Sequence, residues 1–85
     1  MNFGEALTSL KSGKRVYREG WNGKDMFLYY VPENKYPAQT TEAKSFFGDF
    51  VPYRDYIAIK TVEGYVVPWL ASQTDVLSED WQILE

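Results

Sequence analysis

The sequence predicts a small α+β fold: an N-terminal helix packed on a small, mostly antiparallel β-sheet, with a short second helix before the last strand. Three observations predict it. Apolar residues recur at helical spacing through the first ten positions. Short aromatic and β-branched runs, broken by turn residues, follow from residue 14 onward. Near the end, Ser72 with Asp75 three places later has the form of a helix start immediately ahead of a last apolar run.

The first helix is expected to be capped by Asn2, with Phe3, Ala6, Leu7 and Leu10 on one face and Gly13 as a left-handed exit. Glu5, three residues after Asn2, favours the positive end of the helix dipole and resembles a capping-box partner. A strand over 14–17, a turn over 19–24 and a strand over 26–31 should come next, the last ended by Pro32. Residues 32–54 contain three prolines and little periodicity, and read as a long loop with room for one turn of helix near 41–47. Tyr36, Phe46, Phe47, Phe50 and Tyr53 are too many aromatics for a free linker. The plain expectation is a flap folded back over one sheet face; the functional one is a lid or a subunit contact. Strands over 56–61 and 65–67 should pair through a hairpin at Val62, Glu63 and Gly64, with Pro68 ending the ladder. A helix capped by Ser72 and a strand over 80–84 complete the chain.

At 85 residues the chain, 1–85, is expected to be one domain. A chain this short buries only about 60–65% of the surface its unfolded form exposes, so its core is thin and self-association is expected. Apolar residues make up 45% of the chain, but no stretch is long enough for a membrane span. The opening residues have no basic region followed by an apolar block, and there is no cysteine, so a cytoplasmic location is expected. The absence of both cysteine and histidine removes thiolate nucleophiles, Ser-His and Cys-His pairs and nearly every zinc site; no cofactor and no metal is expected. Carboxylate, lysine or tyrosine chemistry stays open. A net charge of -3 argues against a nucleic-acid polymer as partner. Five of the nine basic residues nevertheless fall in the first 24 positions, so a local basic patch could bind an anion.

Trp21 and Trp69 sit beside turn residues, where a ring can bury one face and offer the other to a planar ligand. The plain reading of each is a peripheral core plug, and Trp81 in its strand reads as ordinary packing. Near the two rings lie Asn22 and the backbone of Gly23, and Ser72, Gln73 and Asp75 at the helix start. Groups of this kind read base edges and ribose hydroxyls, and a helix start offers N–H groups to a phosphate. Arg18 and Lys24 could add positive charge. Asp49 with Asp55, and Glu79 with Asp80, read as surface charge rather than as acid–base pairs. The residues alone describe an aromatic site with polar edges, compatible with nucleotide, sugar or peptide.

The segments "MNFGEALTSLKSGKRVYREGWNGKDMFLYYV" and "PWLASQTDVLSEDWQIL", and within them the blocks "GWNGKDMF" and "WLASQTDVLSEDW", resemble the second type of Thoeris anti-defence proteins, small products of phages and prophages. The resemblance covers both ends of the chain and leaves out the 32–54 segment. It implies a sponge and not an enzyme. Members of the family hold intact a cyclic nucleotide second messenger, a cyclised ADP-ribose isomer, and some also bind cyclic dinucleotides at a separate site. They form homo-oligomers, typically tetramers, with pockets between subunits. Carried onto this chain, the ligand-contacting blocks fall on Trp21, Asn22 and Gly23 and on Trp69, Ser72, Gln73 and Asp75. Within them Trp21 and Trp69 are assigned as stacking surfaces, Asn22, Gln73 and Asp75 as polar readers, and Arg18 and Lys24 as pyrophosphate partners. The alternative is an aromatic platform for single-stranded nucleic acid or carbohydrate. A phosphodiesterase-like or glycosidase activity comes third.

Overall fold

The computed structural model describes residues 1–21 and 25–85. Along the chain run α1 (Phe3–Lys11), β1 (Arg15–Arg18), β2 (Phe27–Val31), β3 (Asn34–Pro37), α2 (Thr41–Phe47), β4 (Phe50–Tyr53), β5 (Tyr56–Lys60), β6 (Val66–Pro68), α3 (Gln73–Leu77) and β7 (Trp81–Leu84). Five strands form one antiparallel sheet in the order β6-β5-β2-β1-β7, and β3 and β4 form a separate two-stranded ribbon. The predicted α+β class, the opening helix and the short helix ahead of the last strand are all present.

Local chemistry accounts for α1. The Asn2 side chain accepts the Glu5 N–H at 2.9 Å while Glu5 Oε1 accepts the Asn2 N–H at 3.0 Å, a complete capping box. The helix ends where Gly13 takes φ +93°, a conformation that costs a residue with a Cβ, and Lys14 N–H returns to the Ser9 carbonyl at 3.0 Å. Ala6 and Leu10, four apart on one face, are fully buried against Val16, Leu28 and Trp81. These five residues form the main core cluster. Val16 pairs with Leu28 on one side and Ile83 on the other, and Leu28 pairs with Ile59, so this row lies on the sheet face beneath α1. The opposite face presents Arg15, Tyr17, Phe27, Tyr29, Lys60 and Val66.

Residues 32–54 are not a loop. β3 and β4 pair from Asn34↔Tyr53 to Pro37↔Phe50, and α2 bridges them, capped by Thr40, whose hydroxyl accepts the Ala43 N–H at 3.1 Å. Prolines 37 and 52 obscured the strands, yet in a two-stranded ribbon every strand is an edge and tolerates a residue without an N–H. The expectation of a flap over the sheet is corrected as well. The unit packs on itself, through Ala38, Val51 and the Tyr36–Tyr53 ring pair 5.7 Å apart, and leaves Phe46, Phe47 and Phe50 exposed. It projects as an arm from the ends of β2 and β5, rooted by a 2.6 Å hydrogen bond from the Tyr30 hydroxyl to Asp55 Oδ2. The molecule is correspondingly long, 44 × 26 × 25 Å, with a radius of gyration of 15.0 Å against about 12 Å for a compact chain of this length.

The hairpin at residues 62–64 forms as expected, closed by the Thr61 N–H on the Tyr65 carbonyl at 2.8 Å. Pro68 does not end the ladder: it pairs with Ala58 in edge strand β6, and the Trp69 N–H reaches the Ile57 carbonyl at 2.9 Å. Among the described residues no helix is long and apolar enough to cross a membrane.

Candidate functional site

The site is built outward from Trp81, which pairs with Arg18 across β1 and β7 and is wholly buried. Its indole N–H donates to the Asp75 carbonyl at 3.0 Å, so the ring carries no unpaired polar atom into the core. Trp21 stands edge-on to it, with ring centroids 5.5 Å apart and planes at 81°. Trp69 does the same at 6.0 Å and 87°. Phe3 of α1 packs against both Trp69, at 5.9 Å, and Trp81, at 5.4 Å. Trp21 and Trp69 therefore meet on one aromatic cluster although 48 residues of sequence separate them. Each is only half-buried, which combines the plug and the platform readings: one part of the ring packs and the rest meets solvent.

A polar brace fixes these rings. Arg18 Nε donates to Asp80 Oδ1 at 2.8 Å and Nη1 to Asp75 Oδ1 at 2.9 Å, with Nη2 at 3.4 Å from Asp80 Oδ2. Asp75 Oδ1 also accepts the Trp21 indole N–H at 3.4 Å, and its Oδ2 accepts the Ser72 N–H at 3.2 Å as the reciprocal half of the α3 capping box. Asp80 takes the Gly20 N–H at 2.9 Å, and a Cβ at Gly20 would lie 2.9 Å from that same carboxylate oxygen. One arginine and two carboxylates thus tie β1, the segment carrying Trp21, α3 and the start of β7 together. The Arg18 and Asp75 side chains are each 15% exposed, so removing either partner would strand a largely buried charge.

The charges respond to this packing. For Asp75 the largest influence is burial, which works to raise its pKa. The hydrogen bonds from Arg18, Ser72 and Trp21 together outweigh it and leave the carboxyl below the ordinary range. Asp80 is lowered chiefly by its hydrogen bond from Arg18, and Arg18 is raised by its bonds to Asp80 and Asp75. Both carboxylates stay ionised at neutral pH, unsuited to deliver a proton as general acids. Among the described residues no cluster of three or more acidic groups is placed to hold a metal ion.

The structure divides the expected site residues. It brings Arg18, Trp21, Trp69, Ser72 and Asp75 together. Arg18 and Asp75 face each other, so the arginine spends three of its five N–H donors internally and the aspartate spends both oxygens on the brace. Ser72 accepts the Asp75 N–H at 3.0 Å on its hydroxyl. Gln73 is exposed and lines, with Ala71, Ser72, Val76 and Leu77, a shallow cleft of about 200 Å³. Asn22, Gly23 and Lys24 lie outside the described residues. Sequence reasoning missed Phe3 and Asp80. The acidic pair Glu79–Asp80 reads as surface charge, yet Asp80 is the second anchor of Arg18; nothing in local spacing links residues 18 and 80, which only the β1–β7 register brings together.

Likeness to known proteins extends over nearly the whole chain. The family model described as the Thoeris anti-defense 2-like domain matches residues 1–84. The protein Thoeris anti-defense 2 of Bacillus phage SP01 is 44% identical over 87 residues, an alignment that takes in 99% of this chain and 94% of the phage protein.

Proposed function

Since the chain belongs to the Thoeris anti-defense 2-like family, we propose that it counters bacterial Thoeris defence by sequestering a cyclic nucleotide second messenger, a cyclised ADP-ribose isomer, without cleaving it. The observation that carries the reading is the pair of half-buried rings, Trp21 and Trp69, held edge-on to the buried Trp81 and braced by Asp75 and Arg18. Two rigid indoles anchored on one side are suited to stacking on nucleobases. Stacking contributes about 1–3 kcal/mol per base, and nanomolar binding needs about -12 kcal/mol, so polar contacts supply the rest. Gln73 and Ser72 at the rim are the candidates, together with Asn22, Gly23 and Lys24, which follow Trp21 in the sequence. Each hydrogen bond to a charged group contributes roughly 1.5–3 kcal/mol. Arg18 acts first through Asp75 and Asp80, and only its remaining N–H groups are available to a pyrophosphate.

Sequestration, not turnover, is the mechanism that suits these groups, because the carboxylates nearest the rings are locked as ionised partners of Arg18. The protein works in the host cytoplasm as a homo-oligomer, a tetramer in the fullest form of this reading, and cyclic dinucleotides are a second candidate ligand class. The test is to mix the protein with the cyclised ADP-ribose isomer, remove free ligand by filtration, denature the protein and analyse what is released. Intact ligand is the expected result; recovery of a hydrolysed product would move the protein to the enzymes.

A further inference from the structure

The two half-buried indoles are held in different ways. Trp69 continues edge strand β6, where its backbone N–H donates to the Ile57 carbonyl at 2.9 Å, and its ring rests on the aromatic rings of Phe3 and Trp81. Trp21 lies beyond the end of β1, at the last position of a four-residue turn closed by its own N–H on the Arg18 carbonyl at 3.2 Å. A turn closed only on itself is free to rock at the end of its strand, and it carries its ring with it.

One residue from the far end of the chain prevents this. Asp80, immediately before β7, bonds to three consecutive residues of the turn. Its carbonyl accepts the Glu19 N–H at 3.1 Å, its Oδ2 accepts the Gly20 N–H at 2.9 Å and its Oδ1 accepts Arg18 Nε at 2.8 Å. The chain at Gly20 is fitted to that carboxylate. Gly20 does not take the positive φ that side chains avoid, so its backbone conformation would admit alanine. What meets a Cβ there is Asp80 Oδ2, 2.9 Å away and itself held by Arg18, with Arg18 Nη2 at 3.5 Å.

We propose that Asp80 is a positioning residue for ligand binding: clasped to Arg18, Glu19 and Gly20, it sets the tilt at which Trp21 meets a stacked base, and it has no hold on Trp69. The inference rests on the sequestration reading and adds to it a residue that acts through Trp21. A ring fixed before the ligand arrives costs less ordering when the ligand stacks on it, so affinity is lost when the clasp opens even though the ring is still present. The two indoles then respond differently to the same substitution, which a general loosening of the domain would not produce.

Each of the three tryptophans gives one indole N–H resonance in a nitrogen–proton correlation spectrum, assigned by Trp→Phe replacement. In ligand-free Asp80→Ala the Trp21 resonance should move and broaden while that of Trp69 stays, and isothermal titration with the cyclised ADP-ribose isomer should show binding roughly tenfold weaker at unchanged stoichiometry. Gly20→Ala keeps both charges and should produce the same two changes by displacing the carboxylate; it carries the test by itself should Asp80→Ala not fold. Added to Asp80→Ala it should change little further, because the oxygen it meets is gone. A Trp21 resonance that stays sharp and in place in both single variants overturns the proposal, and so does one that moves together with that of Trp69. A displaced Trp21 with parental affinity also overturns it and leaves sequestration standing. A parent chain that does not bind this nucleotide overturns the sequestration reading and the role in binding with it, while the ligand-free spectra still decide whether Asp80 holds the ring.

Discussion

Arg18 Nη1 lies 2.9 Å from Asp75 Oδ1, and that same oxygen accepts the indole N–H of Trp21 at 3.4 Å. A ring that the sequence places beside a turn is therefore oriented by a helix more than 50 residues away, through a carboxylate that also caps that helix.

Replacing Asp75 by alanine removes the Arg18 bridge, the Trp21 acceptor and half of the α3 cap at once. A lost cap costs about 1 kcal/mol and an unpaired, partly buried donor about 1–3 kcal/mol. The variant should melt roughly 8–32 °C lower, since each kcal/mol corresponds to about 4–8 °C in a domain of this size. A thermal melt followed by circular dichroism checks it, and an unchanged Tm would show that the brace contributes nothing.

Acid should undo the same brace. Asp75 and Asp80 have folded-state pKa values below the ordinary carboxylate value, so their contribution is fully present above the unfolded pKa of about 4 and is lost as pH falls through the lower folded values. Stability measured by urea titration should be level from pH 7 to about 5 and decline below about 4. In Asp75→Asn and Asp80→Asn chains that decline should be shallower; an equally steep one in both would place the acid sensitivity elsewhere.

Trp21→Ala and Trp69→Ala should abolish the thermal shift produced by the cyclised ADP-ribose isomer while sedimentation shows the oligomer retained. Both rings also pack on Trp81, so each variant alone should melt somewhat lower. The reading fails if ligand still raises the Tm of both variants as much as that of the parent chain.

Trp81→Ala acts differently. The side chain is fully buried and holds Phe3, Trp21 and Trp69, and emptying such a position costs about 3–5 kcal/mol, a large share of the stability of a small domain. The purified variant should lose its near-UV circular dichroism and bind ligand no better than an unfolded chain, whereas Trp81→Phe should retain much of both.

Ligand affinity should also depend only mildly on salt. A closed pocket holding one small anion releases few counterions, whereas a strand-binding platform would lose affinity steeply between about 50 and 200 mM salt. Isothermal titration at the two concentrations separates the cases.

What could be read along the chain was what neighbours in sequence decide for one another. The Asn2–Glu5 and Ser72–Asp75 capping boxes, the left-handed Gly13, the alternation of β5 and the aromatic run of β2 are each set by contacts within a few residues, and each appears where the pattern placed it. The clustering of Trp21 with Trp69 could be suspected from their flanking turns but not established. Tertiary structure decided the rest. It converted Arg18 and Asp75 from candidate ligand contacts into partners of each other, made Asp80 the second anchor of Arg18, and made residues 32–54 a projecting ribbon rather than a flap. The reason is common to all three: a charge or an aromatic ring is assigned its role by whatever faces it, and strand register and packing choose that partner from residues that sequence distance keeps apart.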